Sequence, residues 1–93
     1  MKQGVDKEIE FLYNAVLSID TFDECKDFFD DVCTIKEITS IAQRLTVARL
    51  LKAGLTFNEI VEKTGASTAT ISRVNRCLIY GNGYRSVLEK LGE

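Results

Sequence analysis

TFNEIVEKTGASTATISRVN, residues 56–75, changes character at its midpoint. Up to Thr64 the stretch mixes charges with large apolar side chains, whereas from Gly65 to Ser72 every side chain except Ile71 is small or hydroxylated. Thr56 and Glu59 have the spacing of a capping box, in which hydroxyl and carboxylate satisfy backbone N–H groups left unpaired by the first helical turn. A short helix is therefore predicted from Thr56 to Thr64, stopped by Gly65 in a positive-φ conformation that glycine adopts without a Cβ penalty. A second helix is predicted from Ser67 to about Leu78. Ile60 and Val61 of the first helix, with Ile71, Val74 and Leu78 of the second, form inner faces at spacings of three and four.

Two helices joined at a glycine, with apolar residues where they touch and a low outer face on the second, fit a helix-turn-helix over residues 56–78. The outer face is Ser67, Thr68, Ala69, Ser72, Arg73 and Arg76. Hydroxyls hydrogen-bond to phosphate or base edges, Ala69 and the Thr methyls suit thymine methyl groups, and arginines pair with phosphate or guanine. Short side chains also let the partial positive charge of a helix N-terminus approach a phosphate backbone. The same pattern describes a helical hairpin that merely packs.

Outside this stretch the chain also reads as helix. Val5, Ile9, Leu12, Val16 and Ile19 form one apolar stripe over residues 5–19, suited to packing or dimerisation. Thr21 with Glu24 and Thr34 with Glu37 repeat the Thr-x-x-Glu spacing and start two more helices. The first runs from Phe22 to about Val32 and is expected to bury Phe22, Cys25, Phe28, Phe29 and Val32. The second is a central helix from Thr34 to Gly54, with Ile38, Ile41, Ala42, Leu45, Ala48 and Leu51 on its inner face. After the Gly81-Asn82-Gly83 turn, Val87, Leu88 and Leu91 predict a short last helix that returns to the core. Ninety-three residues without proline or tryptophan, 45% of them apolar, thus predict one all-α domain spanning residues 1–93, with about six helices and a core small enough to profit from sharing in an oligomer.

Charge is segregated. Residues 1–34 hold three lysines against nine acids, a balance of −6, and residues 35–93 hold nine basic residues against five acids, a balance of +4. No acid occurs between Glu62 and Glu89, while Lys63, Arg73, Arg76 and Arg85 fall within that window, the local cationic surface a phosphate-binding element needs. The acidic N-terminal segment, placed away from a duplex, costs little once salt screens it over about 8–10 Å. Charges in the first residues and the absence of a long apolar run argue for a soluble, cytoplasmic protein without a membrane partner. With no histidine, and with three cysteines (Cys25, Cys33, Cys77) at no ligand spacing, neither a Cys/His zinc site nor an imidazole-based catalyst is available, so no enzyme is expected. The cysteines read as small buried thiols, with a redox switch as the other reading.

Residues 65–73, GASTATISR, followed by NRCL at 75–78, resemble the helix-turn-helix of the Trp repressor superfamily, whose typical run is Gly-Ala-x-x-Ala-Thr-Ile-Thr/Ser-Arg. TIKEITSIAQRL, beginning at Thr34, is similar to that family's central helix when a one-residue gap is allowed before LLKAG, so the likeness covers roughly residues 34–80 and is nearest to the YerC/YecD branch. It implies an intertwined homodimer with two separate reading heads. It also implies DNA-facing positions at Asn58, Ser67, Thr68, Ala69, Thr70 and Ser72. The two basic positions that grip the effector in tryptophan-responsive members fall on Arg44, through the gap, and on Arg73; without the gap, Gln43 takes the first of these places. The next position, glycine in those members, is Val74 here, and a serine three residues later is Cys77. The Val74 isopropyl group occupies the space an indole ring needs, and the thiol is a weaker hydrogen-bonding group than a hydroxyl. Tryptophan is therefore not the expected corepressor, and either another small molecule or no effector is expected. Val74 reads better as a core residue, and Arg44 equally well as an ion-pair partner.

Together these features predict a sequence-specific regulator of transcription, a repressor in kind. It would bind double-stranded DNA as a dimer, with Lys63, Arg76 and Arg85 on phosphates and the 67–73 face reading bases. The other class is a helical protein-interaction or assembly module that keeps the fold with an idle helix-turn-helix.

Overall fold

The computed structural model describes residues 2–93, and the side chains from residue 4 onward. Six helices follow in order: α1 Lys2–Leu17, α2 Phe22–Val32, α3 Ile35–Lys52, α4 Phe57–Thr64, α5 Thr68–Tyr80 and α6 Gly83–Lys90. No strand occurs among the described residues, so the all-α expectation holds. The chain divides after Ile35 into two compact units, one of α1 and α2 and one of α3 to α6.

Hydroxyl side chains set several of these helix starts. Thr56 and Glu59 form the full predicted box: Thr56 Oγ1 accepts from the Glu59 N–H at 3.2 Å, and Glu59 Oε1 accepts from the Thr56 N–H at 2.8 Å. Those bonds to the ionised carboxylate hold Glu59 below its ordinary pKa, the Thr56 backbone N–H being the largest cause. At α2 the box is shifted by one residue. Thr21 accepts from the Glu24 N–H, but the Glu24 carboxylate reaches back to the N–H of Asp20 at 3.0 Å. Ser67 caps α5 by accepting from the Thr70 N–H at 3.1 Å.

In the second unit a single apolar cluster joins α3 to the later helices. Val47 and Ala48 of α3, Ile60 of α4, Ala66 of the turn, Ile71 and Val74 of α5, and Leu88 of α6 are all buried, and Leu50, Leu51, Leu55, Phe57, Val61 and Tyr84 pack around them. Burying each large aliphatic side chain contributes about 1.5–3 kcal/mol. The predicted inner residues Ile60, Ile71 and Val74 are therefore core, with Val61 packed against them, while Leu78 is half-buried outside that cluster.

Two glycines shape the segment for different reasons. Gly65, at φ +72°, ends α4 with its N–H on the Val61 carbonyl, and a Cβ placed there would meet nothing within 4 Å; what it needs is the backbone conformation. Gly81 has an ordinary φ of −95°, but a Cβ there would lie 2.7 Å from the Cys77 carbonyl oxygen, so what it needs is the close approach. Arg85 then ties α6 to the end of α5, its Nη2 donating to the carbonyls of Gly81 at 2.5 Å and Ile79 at 3.4 Å. A cation is favourable at that C-terminal, partly negative end.

Several burial expectations are corrected. No α2 residue is buried: Phe22 is 82% exposed and Val32 is exposed, while Cys25, Phe28 and Phe29 are half-buried, the two phenyl rings meeting edge to face at 5.4 Å. The α1 stripe, read as suited to packing or dimerisation, stands apart from these corrections: Val5, Ile9, Leu12 and Val16 are exposed in the single chain. On α3 the buried pair is Val47 and Ala48, whereas Ile41, Ala42 and Leu45 are exposed, and of the last helix only Leu88 is buried while Val87 and Leu91 are open. The cysteines are not buried either: Cys25 and Cys33 are half-buried and Cys77 is exposed. Periodicity reports that a face is apolar; it does not report what covers it.

Three outcomes follow from this packing. Val74→Gly removes a buried side chain from mid-helix and should lower stability by about 2–4 kcal/mol in denaturant titrations. Gly65→Ala should cost about 1 kcal/mol, with no clash against the surrounding protein, because only the positive φ is penalised. Because the folded-state pKa of Glu59 is lowered, its cap on α4 is fully present above the ordinary glutamate pKa and is lost as pH falls through the lowered value. Amide exchange at Thr56, followed by NMR from neutral to acid pH after correction for intrinsic rates, should lose protection in that window.

Candidate nucleic-acid interface

The α4–turn–α5 segment presents one continuous polar face. Its inner side is committed to the core through Ile60, Ala66, Ile71 and Val74. On α5 and its cap, Ser67, Thr68, Ala69, Ser72, Arg73 and Arg76 are all exposed, because they occupy the positions between the buried residues of the helical repeat. Asn58 and Lys63 are exposed on α4, Lys63 in its last turn.

Thr70 differs from its neighbours. It is half-buried, and its hydroxyl accepts a 3.1 Å hydrogen bond from Ser67 Oγ, the atom that also receives the Thr70 N–H. These two hydroxyls stabilise the start of the helix and are partly engaged, whereas Thr68, Ala69 and Ser72 project from its exposed side. Beside them Arg73 and Arg76 place positive charge along the same helix. Chemically, the face offers hydroxyl donors and acceptors, methyl groups and guanidinium forks around a helix N-terminus, a set that matches phosphate oxygens and major-groove base edges.

The residues expected to hold an effector are less exposed to one another's chemistry. Arg44 is half-buried, with Nη1 donating to Ser40 Oγ one turn earlier on α3 at 2.8 Å, whereas Arg73 is exposed on α5. Val74 is only 2% exposed and belongs to the central cluster, which favours its reading as core. An open, mainly apolar groove of about 470 Å³ is lined by Leu45, Cys77, Gly81, Gly83, Tyr84 and Val87. No group of three or more His, Cys, Asp or Glu side chains suited to a metal ion occurs among the described residues, and no helix there is long and apolar enough to cross a membrane.

Two roles escaped the sequence. Arg85, expected on phosphate, also bonds the carbonyls at the end of α5 through Nη2; an arginine four residues beyond a helix-ending glycine was the available signal for that second role. Gln43 sends its side-chain amide from α3 to the Thr64 carbonyl at 3.2 Å, across 21 residues of sequence, and nothing local in the sequence announces that bond.

This geometry has close relatives. YerC of Bacillus subtilis (strain 168) is 56% identical over 88 residues, covering 94% of this chain and 85% of that protein. The crystal structure of a TrpR like protein from Eubacterium eligens ATCC 27750 superposes with a TM-score of 0.88 at 56% identity, covering 92% of this chain and 90% of the other. That of a candidate Trp repressor from Staphylococcus aureus gives 0.87 at 44% identity, with 92% and 87% covered. The family model for the Trp repressor protein matches residues 7–92. With that match spanning nearly the whole sequence and its helix-turn-helix in place, the chain belongs to the Trp repressor family.

Proposed function

We propose that the protein is a sequence-specific DNA-binding regulator of transcription, a repressor in kind, that acts in the cytoplasm as a homodimer and uses residues 1–93 as one functional domain. The observation that carries this reading is the outer face of α5: Ser67, Thr68, Ala69, Ser72, Arg73 and Arg76 stand exposed around a capped helix start while the opposite side is locked into the core. In a family of regulators, a face of this size and chemistry fits the major groove. Lys63, Arg73 and Arg76 supply phosphate contacts and so salt-dependent affinity, and Thr68, Ala69 and Ser72 supply base discrimination, with Asn58 at the edge of the footprint. Ser67 and Thr70 contribute mainly by presenting the helix N-terminus, since each hydroxyl already holds part of the cap. The Thr70 hydroxyl proton, unlike that of Ser67, is not used in the cap and can be donated to a phosphate oxygen.

The exposed apolar residues of α1 and of α3, including Val5, Ile9, Leu12, Val16, Ile41 and Leu45, support the dimer, because so much apolar surface at helical spacing is expensive to leave in water. The same surface is what an assembly module without DNA binding would show. Binding of the purified protein to duplex DNA at low salt, against an acidic control of the same size, separates the two readings.

Tryptophan is not the effector in this reading. Val74 is packed among Ile60, Ile71 and Leu88, so the room an indole needs beside Arg73 is filled. Neither catalysis nor a metal forms part of the proposed role.

Selection of bound sequences from a random duplex pool, with and without tryptophan, should enrich a palindrome whose half-sites lie about one helical turn apart, and the enriched sequence should be the same in both arms. Thr68→Asp should abolish binding to that sequence while leaving the oligomeric state unchanged, since it sets a carboxylate against phosphate without touching the inner stripe. Unchanged affinity would remove α5 from the interface.

A further inference from the structure

The core that holds α4 and α5 on α3 is wholly apolar, and side-chain packing alone sets a helix crossing angle only to within about 15–20°. A directional contact is supplied by Gln43. It lies one turn before the buried Val47, on the same side of α3, and its Nε2 donates to the Thr64 carbonyl at 3.2 Å.

Thr64 is where such a bond has most leverage. It is the last residue of α4, where helix carbonyls lose their intrahelical partners, and Gly65 turns the chain away immediately afterwards. Its own hydroxyl is already committed, donating to the Ile60 carbonyl at 2.7 Å and accepting from the Ala66 N–H at 3.1 Å. The Thr64 carbonyl is half-buried, so water replaces a lost partner only in part. Three residues on, Ser67 caps α5, and the outward face begins. A small rotation at Thr64–Gly65–Ala66 is therefore carried directly into the direction of Ser67, Thr68 and Ala69.

We propose that Gln43 is a positioning residue for DNA recognition: its amide fixes the turn between α4 and α5 and with it the angle at which the recognition helix is presented. The consequence for DNA rests on the function proposed above; the hold on the turn does not.

The test compares wild type with Gln43→Met, which keeps length and loses the donor, and Gln43→Lys, which keeps an N–H donor. Amide hydrogen exchange of the free full-length protein is followed by NMR at Gly65 and Ala66, with the Val74 amide as monitor of the core. Affinity is measured for the palindrome selected from the random pool and for a scrambled duplex. In Gln43→Met, exchange at Gly65 and Ala66 should accelerate about tenfold with Val74 unchanged, and the ratio of specific to scrambled affinity should fall about tenfold. Gln43→Lys should restore both, the ratio cancelling its added charge. Unchanged exchange at Gly65 and Ala66 overturns the proposal whatever the DNA does. Faster exchange with an unchanged affinity ratio overturns it too, as does a lysine variant that behaves like the methionine one, or acceleration at Val74 equal to that at the turn. A wild type that discriminates no sequence defeats the proposed function and the recognition role together, and the exchange data then report separately whether Gln43 holds the turn.

Discussion

The burial of Ile60, Ile71 and Val74 with Val47 and Ala48 is the constraint on which the second unit depends. Two helices as short as α4 and α5, of 8 and 13 residues, have little stability alone, because helix nucleation costs more than a few turns return. They persist because one stripe of each is removed from water against a longer helix. Once that stripe is committed, the remaining positions of α5 have no choice but to face outward. The polar face at 67–76 is thus a by-product of core formation as much as a feature in its own right.

Polar contacts then refine what apolar packing leaves loose. The Thr56–Glu59 box starts α4, Gly65 ends it, Ser67 and Thr70 start α5, and Arg85 closes its far end. Each of these groups satisfies backbone atoms that a helix end would otherwise leave unpaired. Their cumulative effect is to hold a small outward surface in register. Val74 belongs to the same economy of space, contributing to the core from the position next to the exposed Arg73.

Much of this was legible from the residues. Helix starts at Thr21, Thr56 and Ser67 were visible because capping is local chemistry over three residues, and the Gly65 turn because no other residue type takes that φ freely. The shared burial of Ile60, Ile71 and Val74 was visible because both stripes lie within one short segment. The burial of Phe22 was misjudged for the opposite reason, since an apolar stripe carries no record of its partner. The helix-end role of Arg85 was missed because a cation in an acid-free window looks the same whether or not it also serves a helix end.

The sequence by itself determined the all-helical class, the position of the helix-turn-helix and the identity of its outward side chains, because helical period, capping and glycine stereochemistry act within a few residues. Only the tertiary structure decided which face of α3 is core and that Gln43 reaches the Thr64 carbonyl. Those facts join residues far apart in the chain or choose between equivalent faces, and such choices are made by the space left when helices pack.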